Sequence, residues 1–167
     1  MNCFYLDASA YVKYYYPEPG SDIVVALVDE PGDARSRRLI VTSMAIAETV
    51  AVLNRRRNEL RMPDGEYGAV IARLFADVEQ FTHWRIHDDD LLDATALIPA
   101  HNLNASDALH LHTALQLDHI LDRTQQSCVV MVASDRRLLR AADAEGMNAL
   151  DPEAATLREI HDLIAVA

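Results

Sequence analysis

Lysine is almost absent from this sequence: Lys13 is the only one among 15 basic side chains. The rest of the basic charge is arginine, whose planar guanidinium is the better fork for phosphate or carboxylate. Against it stand 26 acidic side chains, for a net charge of −11. Such a field repels nucleic acid, so the chain does not read as a protein that simply coats DNA or RNA. It stays compatible with a nuclease that holds divalent cations, because bound metals invert the local field. Cysteine is scarce as well. Cys3 and Cys128 both lie in apolar runs. They make neither a disulfide framework nor a zinc site and read as small buried hydrophobes. No apolar run approaches the ~20 residues of a membrane span. The opening residues lack a basic stretch and an apolar stretch of signal-peptide length, so the expected location is the cytoplasm. Internal repeats, low-complexity tracts and linkers are missing too. What remains is 167 residues, half of them hydrophobic, which fits a single domain over 1–167 with a real core.

Short apolar runs alternate with longer helical patterns. Cys3-Phe4-Tyr5-Leu6 reads as a strand, followed by helices over 9–16 and 21–30. Leu39-Ile40-Val41 reads as a second strand, with helices over 44–60 and 66–82 after it. Trp84-Arg85-Ile86-His87 is a weak third strand, then helices cover 89–98 and 106–120. Val129-Val130-Met131-Val132-Ala133 is the clearest strand, continuously apolar and β-branched. A helix over 136–145, a short strand near 147–150 and a last helix over 152–165 complete the chain. Turns fall at Pro17-Glu18-Pro19-Gly20, Pro31-Gly32-Asp33 and Pro63-Asp64-Gly65. This alternation predicts an α/β domain with a mostly parallel sheet covered on both faces. Ligands of such sheets sit beyond the carboxyl ends of the strands, so the residues just after each strand matter most.

Two of those residues are acids. Asp7 follows the first strand, and Asp135 follows the strongest one. Either could be a metal ligand. Either could equally be a helix cap, where aspartate is favoured anyway. Glu48 lies in Met44-Ala45-Ile46-Ala47-Glu48-Thr49-Val50-Ala51-Val52, a helix apolar all round and therefore expected to be buried. A lone buried carboxylate costs several kcal/mol unless it is paired or metal-bound. Asp107 begins another apolar helix, capped by Ser106 or Asn104, and its alternative role is charge pairing with the helix dipole. Four crowded carboxylates need cations, and hard oxygen donors suit Mg²⁺ or Mn²⁺ rather than zinc. A two-cation site clamps the attacking and leaving oxygens of a phosphodiester.

These segments resemble the PIN-domain ribonucleases, with the nearest likeness to VapC-like toxins of type II toxin–antitoxin pairs. Leu6-Asp7-Ala8-Ser9-Ala10-Tyr11-Val12-Lys13 through Pro17-Glu18-Pro19-Gly20-Ser21 is similar to their opening motif. Thr42-Ser43 with Glu48, then Ser106-Asp107-Ala108-Leu109-His110, then Ala133-Ser134-Asp135-Arg136-Arg137 follow in the family's order. The resemblance implies a three-layer α/β/α fold and Mg²⁺- or Mn²⁺-dependent RNA cleavage by metal-activated water. It implies Asp7, Glu48, Asp107 and Asp135 as catalytic metal ligands, with Ser9 and Ser134 as hydroxyl support. It implies a homodimer and a cognate antitoxin. The chain is somewhat long for such toxins, with additions at Arg35–Arg38, around Pro63-Asp64-Gly65, and at Asp122–Ser127.

Lys13, Arg136 and Arg137 are further candidates for RNA phosphate contacts, set against ordinary solvated side chains. Arg55-Arg56-Arg57 reads as favourable charge at a helix C-terminus or as a phosphate or antitoxin contact. Asp88-Asp89-Asp90 reads as an acidic helix start rather than a cation site. His110 and His112 are two apart on a helix and face different ways, which excludes a zinc pair; His110 could support Asp107. Tyr14-Tyr15-Tyr16 reads as packing for the first helix, with base stacking as the alternative. Two other functions compete. An aspartate-dependent phosphatase would want a second Asp two residues after Asp7, where Ser9 stands. A non-catalytic PIN-fold interaction module would not need all four acids. A dinucleotide-binding domain would want a glycine-rich turn after the first strand, and none follows Leu6.

Overall fold

A computed structural model of the protein describes residues 2–29, 38–60, 62–122 and 128–165. The Pro31-Gly32-Asp33 turn, Arg35–Arg37 and Arg123–Ser127 lie outside the described residues. The strands are β1 (Asn2–Leu6), β2 (Arg38–Thr42), β3 (Thr82–Trp84), β4 (Cys128–Val132) and β5 (Asn148–Leu150). The helices are α1 (Ala8–Tyr11), α2 (Ser21–Asp29), α3 (Ser43–Leu60), α4 (Asp64–Asp77), α5 (Asp88–Ala94), α6 (Leu97–His101), α7 (Ala105–Asp122), α8 (Arg136–Ala144) and α9 (Leu157–Ala165). No helix among the described residues is long and apolar enough to cross a membrane.

The five strands form one sheet in the order β3-β2-β1-β4-β5, with every pairing parallel. Its centre is β1, paired with β2 through Phe4↔Leu39 and with β4 through Phe4↔Val130. All five residues of β1 are buried. A strand covered on both faces must be apolar throughout, which is why β1 and β4 show in the sequence as unbroken runs. Successive side chains point to opposite faces. Phe4, Leu6, Val41, Val130 and Val132 join one core with Tyr11, Val24, Leu27, Leu53 and Ile160. Cys3, Tyr5, Ile40, Val129 and Met131 join a second core with Leu111, Leu138 and Ala142. The sheet is thus the middle layer of an α/β/α arrangement.

Several boundaries differ from the sequence reading. The first helix is one α-turn continued by a 3₁₀ turn at Val12–Tyr14. The expected 66–82 helix ends at Asp77, with a 3₁₀ turn at Val78–Gln80. Strand β3 then begins at Thr82, two residues before the expected start at Trp84. Val78 and Phe81 keep the helical spacing, yet they pack on the core from the turn that follows the helix. The expected 89–98 helix is two helices, α5 and α6, separated at Thr95-Ala96. The last helix starts at Leu157, after a turn at residues 152–154. Helix α3 is not buried all round. Ala45, Thr49 and Leu53, four apart, are buried, Ile46, Val50 and Val52 pack partly buried against the core beside them, and Ala47 and Ala51 are exposed.

Gly20 fixes one edge of the molecule. Its φ is +82°, and a Cβ there would lie 2.7 Å from the Pro152 carbonyl carbon. The contact is with rigid backbone, and left-handed φ is costly for other residues. Gly20→Ala is expected to lower stability by roughly 2 kcal/mol, from both the strained φ and the close contact. Urea unfolding of the two proteins checks this; equal midpoints would remove Gly20 as a docking point.

Candidate active site

Asp7, Glu48, Asp107 and Asp135 line one cleft of about 400 Å³. Asp7 comes directly after β1 and Asp135 three residues after the last β4 residue. Glu48 comes from the second turn of α3 and Asp107 from the first turn of α7. The sheet order sets β1 beside β4, so their two carboxylates share the carboxyl edge of adjacent strands.

Both strand-end acids are also helix caps. Asp7 Oδ1 accepts from the Ala10 N–H (2.9 Å) at the start of α1. Asp135 Oδ1 accepts from the Arg137 N–H (2.7 Å) and the Leu138 N–H (3.3 Å) at the start of α8. Capping and lining the cleft are compatible, because a carboxylate has more acceptor capacity than one cap uses. Asp107 is capped rather than capping: its N–H donates to Asn104 Oδ1 (2.8 Å), which also accepts from the Ser106 hydroxyl (3.0 Å).

The serines differ in role. The Ser9 hydroxyl reaches both Asp7 oxygens, at 2.8 and 2.9 Å. The Ser134 N–H donates to Ser9 Oγ (2.7 Å), so Ser134 supports Asp7 through its backbone. The Ser134 hydroxyl itself is buried without a hydrogen-bond partner among the described residues.

Charge is costly here. Burial pushes the Asp7 carboxyl up to about 6, against the pull of the His110 charge, the Ala10 N–H and Ser9; the Asp107 charge adds to the rise. Burial also raises Asp107, and the negative charge of Asp135 raises it further, with Arg137 and His110 opposing. Burial works against ionising Glu48 too, but the hydrogen bond and charge of His110 and the Ser106 hydroxyl outweigh it and leave its pKa below the ordinary value.

His110 lies one turn after Asp107 on α7 and is 2% exposed. Its partner is Glu48, not Asp107. His110 Nε2 stands 2.8 Å from Glu48 Oε2, and Nδ1 stands 2.8 Å from the Tyr5 hydroxyl. No sequence spacing announces these contacts, since Glu48 is 62 positions away. The only local sign is a histidine one turn beyond an acid on an otherwise apolar helix.

The basic candidates divide. Lys13 is not a solvated lysine. It is 3% exposed, and its ammonium donates to Glu18 Oε1 (2.9 Å), Pro19 O (2.8 Å) and Glu153 Oε1 (2.9 Å). Its three hydrogens are all taken, so it has none for a phosphate in this arrangement. Arg137 is exposed, with Nη2 3.9 Å from Asp135 Oδ2, and Arg136 is exposed beside it. Arg55, from the 55–57 run, lines the acidic cleft, while Arg56 pairs with Glu18 and Arg57 with Asp64. The Asp88-Asp89-Asp90 run is a helix start, with Asp90 Oδ2 accepting from the His87 N–H (2.7 Å). Tyr14 and Tyr15 are packing residues of the core. A larger hollow of about 460 Å³ beside Trp84 contains none of the four acids.

The donors suit a hard divalent cation. Asp107 Oδ2 is buried and has no hydrogen-bond partner among the described residues. Asp7 and Asp107 both resist ionisation, so an added cation would relieve an existing repulsion. Among the described residues no group of three or more His, Cys, Asp and Glu side chains stands as a ready-made cage for a metal ion. Glu48 is turned onto His110 and Asp135 Oδ1 onto the α8 backbone, so the fit is one of donor chemistry and placement along one cleft.

A family model described as the PIN domain matches residues 4–144. The chain belongs to the PIN-domain family. Ribonuclease VapC45 and Ribonuclease VapC49, from two strains of Mycobacterium tuberculosis, are each 32% identical to it over 152 residues, covering 87% of this chain and 93% of theirs. The crystal structure of PAE2754 from Pyrobaculum aerophilum superposes with a TM-score of 0.60 at 16% identity, covering 97% of this chain and 99% of that one. VapBC-1 from nontypeable Haemophilus influenzae superposes with a TM-score of 0.58 at 12% identity, covering 90% of this chain and 98% of that one. At those identities the solved structures bear on the fold alone, and they agree with the α/β/α arrangement derived from the sequence.

Proposed function

We propose that this protein is an endoribonuclease that depends on Mg²⁺ or Mn²⁺ and acts as the toxin of a type II toxin–antitoxin pair. The observation that carries the reading is the convergence of Asp7, Glu48, Asp107 and Asp135 on one cleft from four separated parts of the chain. The name ribonuclease on the two mycobacterial relatives supports RNA as the substrate. The four acids would hold the cations. A bound divalent cation would supply a water of lowered pKa and neutralise charge on the phosphodiester. Asp7 is held by Ser9 and the Ala10 N–H, which fixes its oxygens toward the cleft. Arg55 on the cleft wall and Arg137 beside Asp135 are the side chains placed to orient a backbone phosphate.

A panel of single-stranded RNAs, incubated with antitoxin-free protein, tests this. Cleavage is expected with Mg²⁺ or Mn²⁺ and is expected to vanish in EDTA. Cleavage that survives EDTA would overturn the metal-dependent reading. No cleavage by the folded protein, together with no cation binding by calorimetry, would favour the non-catalytic interaction module.

For the antitoxin, the 44–82 region offers exposed apolar side chains on α3 and α4. Leu60 and Phe75 are each 57% exposed. Ala47 and Ala51 of α3 are exposed as well, and apolar side chains of this kind are what a partner helix would cover. The proposed assembly is a homodimer bound by its antitoxin, and a small protein co-purifying from the native host is the expected sign.

A further inference from the structure

We propose that His110 is a positioning residue that fixes the Glu48 carboxylate for cation binding through a buried hydrogen-bond chain beginning at Tyr5. The inference rests on the cation-binding reading of the cleft and assigns a part to two side chains that reading does not use.

The chain runs across two helices and the central strand. Tyr5 points from β1 into the second core and is fully buried. Its hydroxyl lies 2.8 Å from His110 Nδ1, and the two rings meet edge to face at 5.8 Å. His110 Nε2 lies 2.8 Å from Glu48 Oε2 on α3. The hydroxyls of Thr42 and Thr113 stand beside the phenol oxygen. The geometry lets the imidazole donate its Nε2 hydrogen to Glu48 while Nδ1 pairs with the Tyr5 hydroxyl.

The functional weight falls on Glu48. A glutamate at a half-exposed position has three side-chain torsions to restrain. Its helix neighbours along the cleft, Ala51 and Val52, offer no hydrogen bond of their own. His110 takes Oε2 and anchors the carboxylate from the protein side while the residue still borders the cleft. His110 is in turn immobile, because Tyr5 holds its other nitrogen and core residues surround it. A free rotamer would have to be frozen each time a cation bound; here it is frozen beforehand. Partners one step behind a metal ligand typically affect affinity by ~10–100-fold.

The measurement is Mn²⁺ affinity by calorimetry on the full chain without RNA, with melting curves taken with and without Mn²⁺. The variants are His110→Leu, which removes the donor; His110→Gln, whose amide can still reach Glu48; and Tyr5→Phe, which removes one hydroxyl with little change in volume. His110→Leu is expected to weaken Mn²⁺ binding by ~10–100-fold, with His110→Gln recovering most of the loss and Tyr5→Phe weaker by several-fold. A purely structural His110 would lower the melting temperature of free and Mn²⁺-bound protein alike and leave affinity unchanged. That outcome overturns the proposal. If His110→Leu does not fold, unchanged affinity in Tyr5→Phe overturns it instead. Absence of Mn²⁺ binding by the wild type has a different signature and overturns the cation reading of the cleft itself.

Discussion

Asp7→Asn is expected to abolish RNA cleavage and, in EDTA at neutral pH, to melt at a higher temperature than the wild type. Both effects come from one feature, a carboxylate placed where ionisation is unfavourable. Burial lifts the folded-state pKa of Asp7 to about 6, whereas an unfolded aspartate titrates near ~3.9. The sign follows from the direction of that shift. Below about pH 4 the group is protonated in both states and costs nothing. As the pH climbs toward about 6, the unfolded chain releases its proton first, and folding becomes progressively less favourable. Above that window the full cost is present, on the order of 3 kcal/mol for a shift of about two units. Asparagine keeps a carbonyl oxygen for the Ala10 N–H and the Ser9 hydroxyl, so the cap survives while the charge goes. For a protein of this size the gain corresponds to roughly 6–12 °C. The mutant-minus-wild-type difference in stability should grow across that same window and be flat above it. Divalent cations should shrink or reverse the ranking, since a ligand at 100 times its Kd stabilises the folded form by about 2.7 kcal/mol. A mutant that cleaves at the wild-type rate would sink the site assignment. A mutant that melts lower in EDTA would sink the electrostatic account of Asp7.

Lys13→Met is expected to be among the most destabilising single changes in the chain, at roughly 3 kcal/mol or more. The ammonium is enclosed by Glu18, Pro19 and Glu153, and it joins the turn after the first helix to the turn before α9. Gly20 packs on the same 152–153 backbone. Removing the cation leaves Glu153 without its partner and Glu18, largely shielded from water, with Arg56 as its remaining ion pair. Methionine fills the volume but supplies none of the three hydrogen bonds. Ser9, Ser134 and Asp135 line the hollow of about 280 Å³ that Lys13, Glu18 and Glu153 also border, so loosening the clasp should reach the acidic cleft. The expected result is a lower urea midpoint together with a loss of cleavage smaller than that of Asp7→Asn. A variant as stable as the wild type would mean that the two turns are held by packing alone.

The sequence is informative where one physical demand dominates a segment. Strands β1 and β4 are buried on both faces, so their apolar runs are uninterrupted, and the acids after them stand out because a polar residue ends each run. Edge strand β3 is three residues long and half solvated, so Thr82-His83-Trp84 carries no such pattern, and the helical spacing of Val78 and Phe81 ran over its start. The break between α5 and α6 at Thr95-Ala96 contains no glycine or proline to mark it. Glu48 was read as an acid on a buried helix. It borders the cleft instead, because α3 buries one face, centred on Ala45, Thr49 and Leu53, and leaves Glu48 at the margin of that face. Lys13 misled for a related reason. Its partner Glu153 is 140 positions away, and no local spacing can announce a contact made by the turn between β5 and α9.

The strand order also governs when the site can exist during synthesis. β1, the first of these strands in chain order, is the central one of the sheet, and its pairing with β4 sets Asn2 against Cys128. A chain emerging from the ribosome carries Asp7 and Glu48 early, but Asp107 and Asp135 arrive only with α7 and the start of α8. Until β4 is available, one flank of β1 has no strand to pair with, and such long-range parallel pairing is intrinsically slow to form. The whole stretch from Asp7 to Asp135 must therefore be translated before the four acids can meet, which separates the making of the chain from the assembly of its cleft.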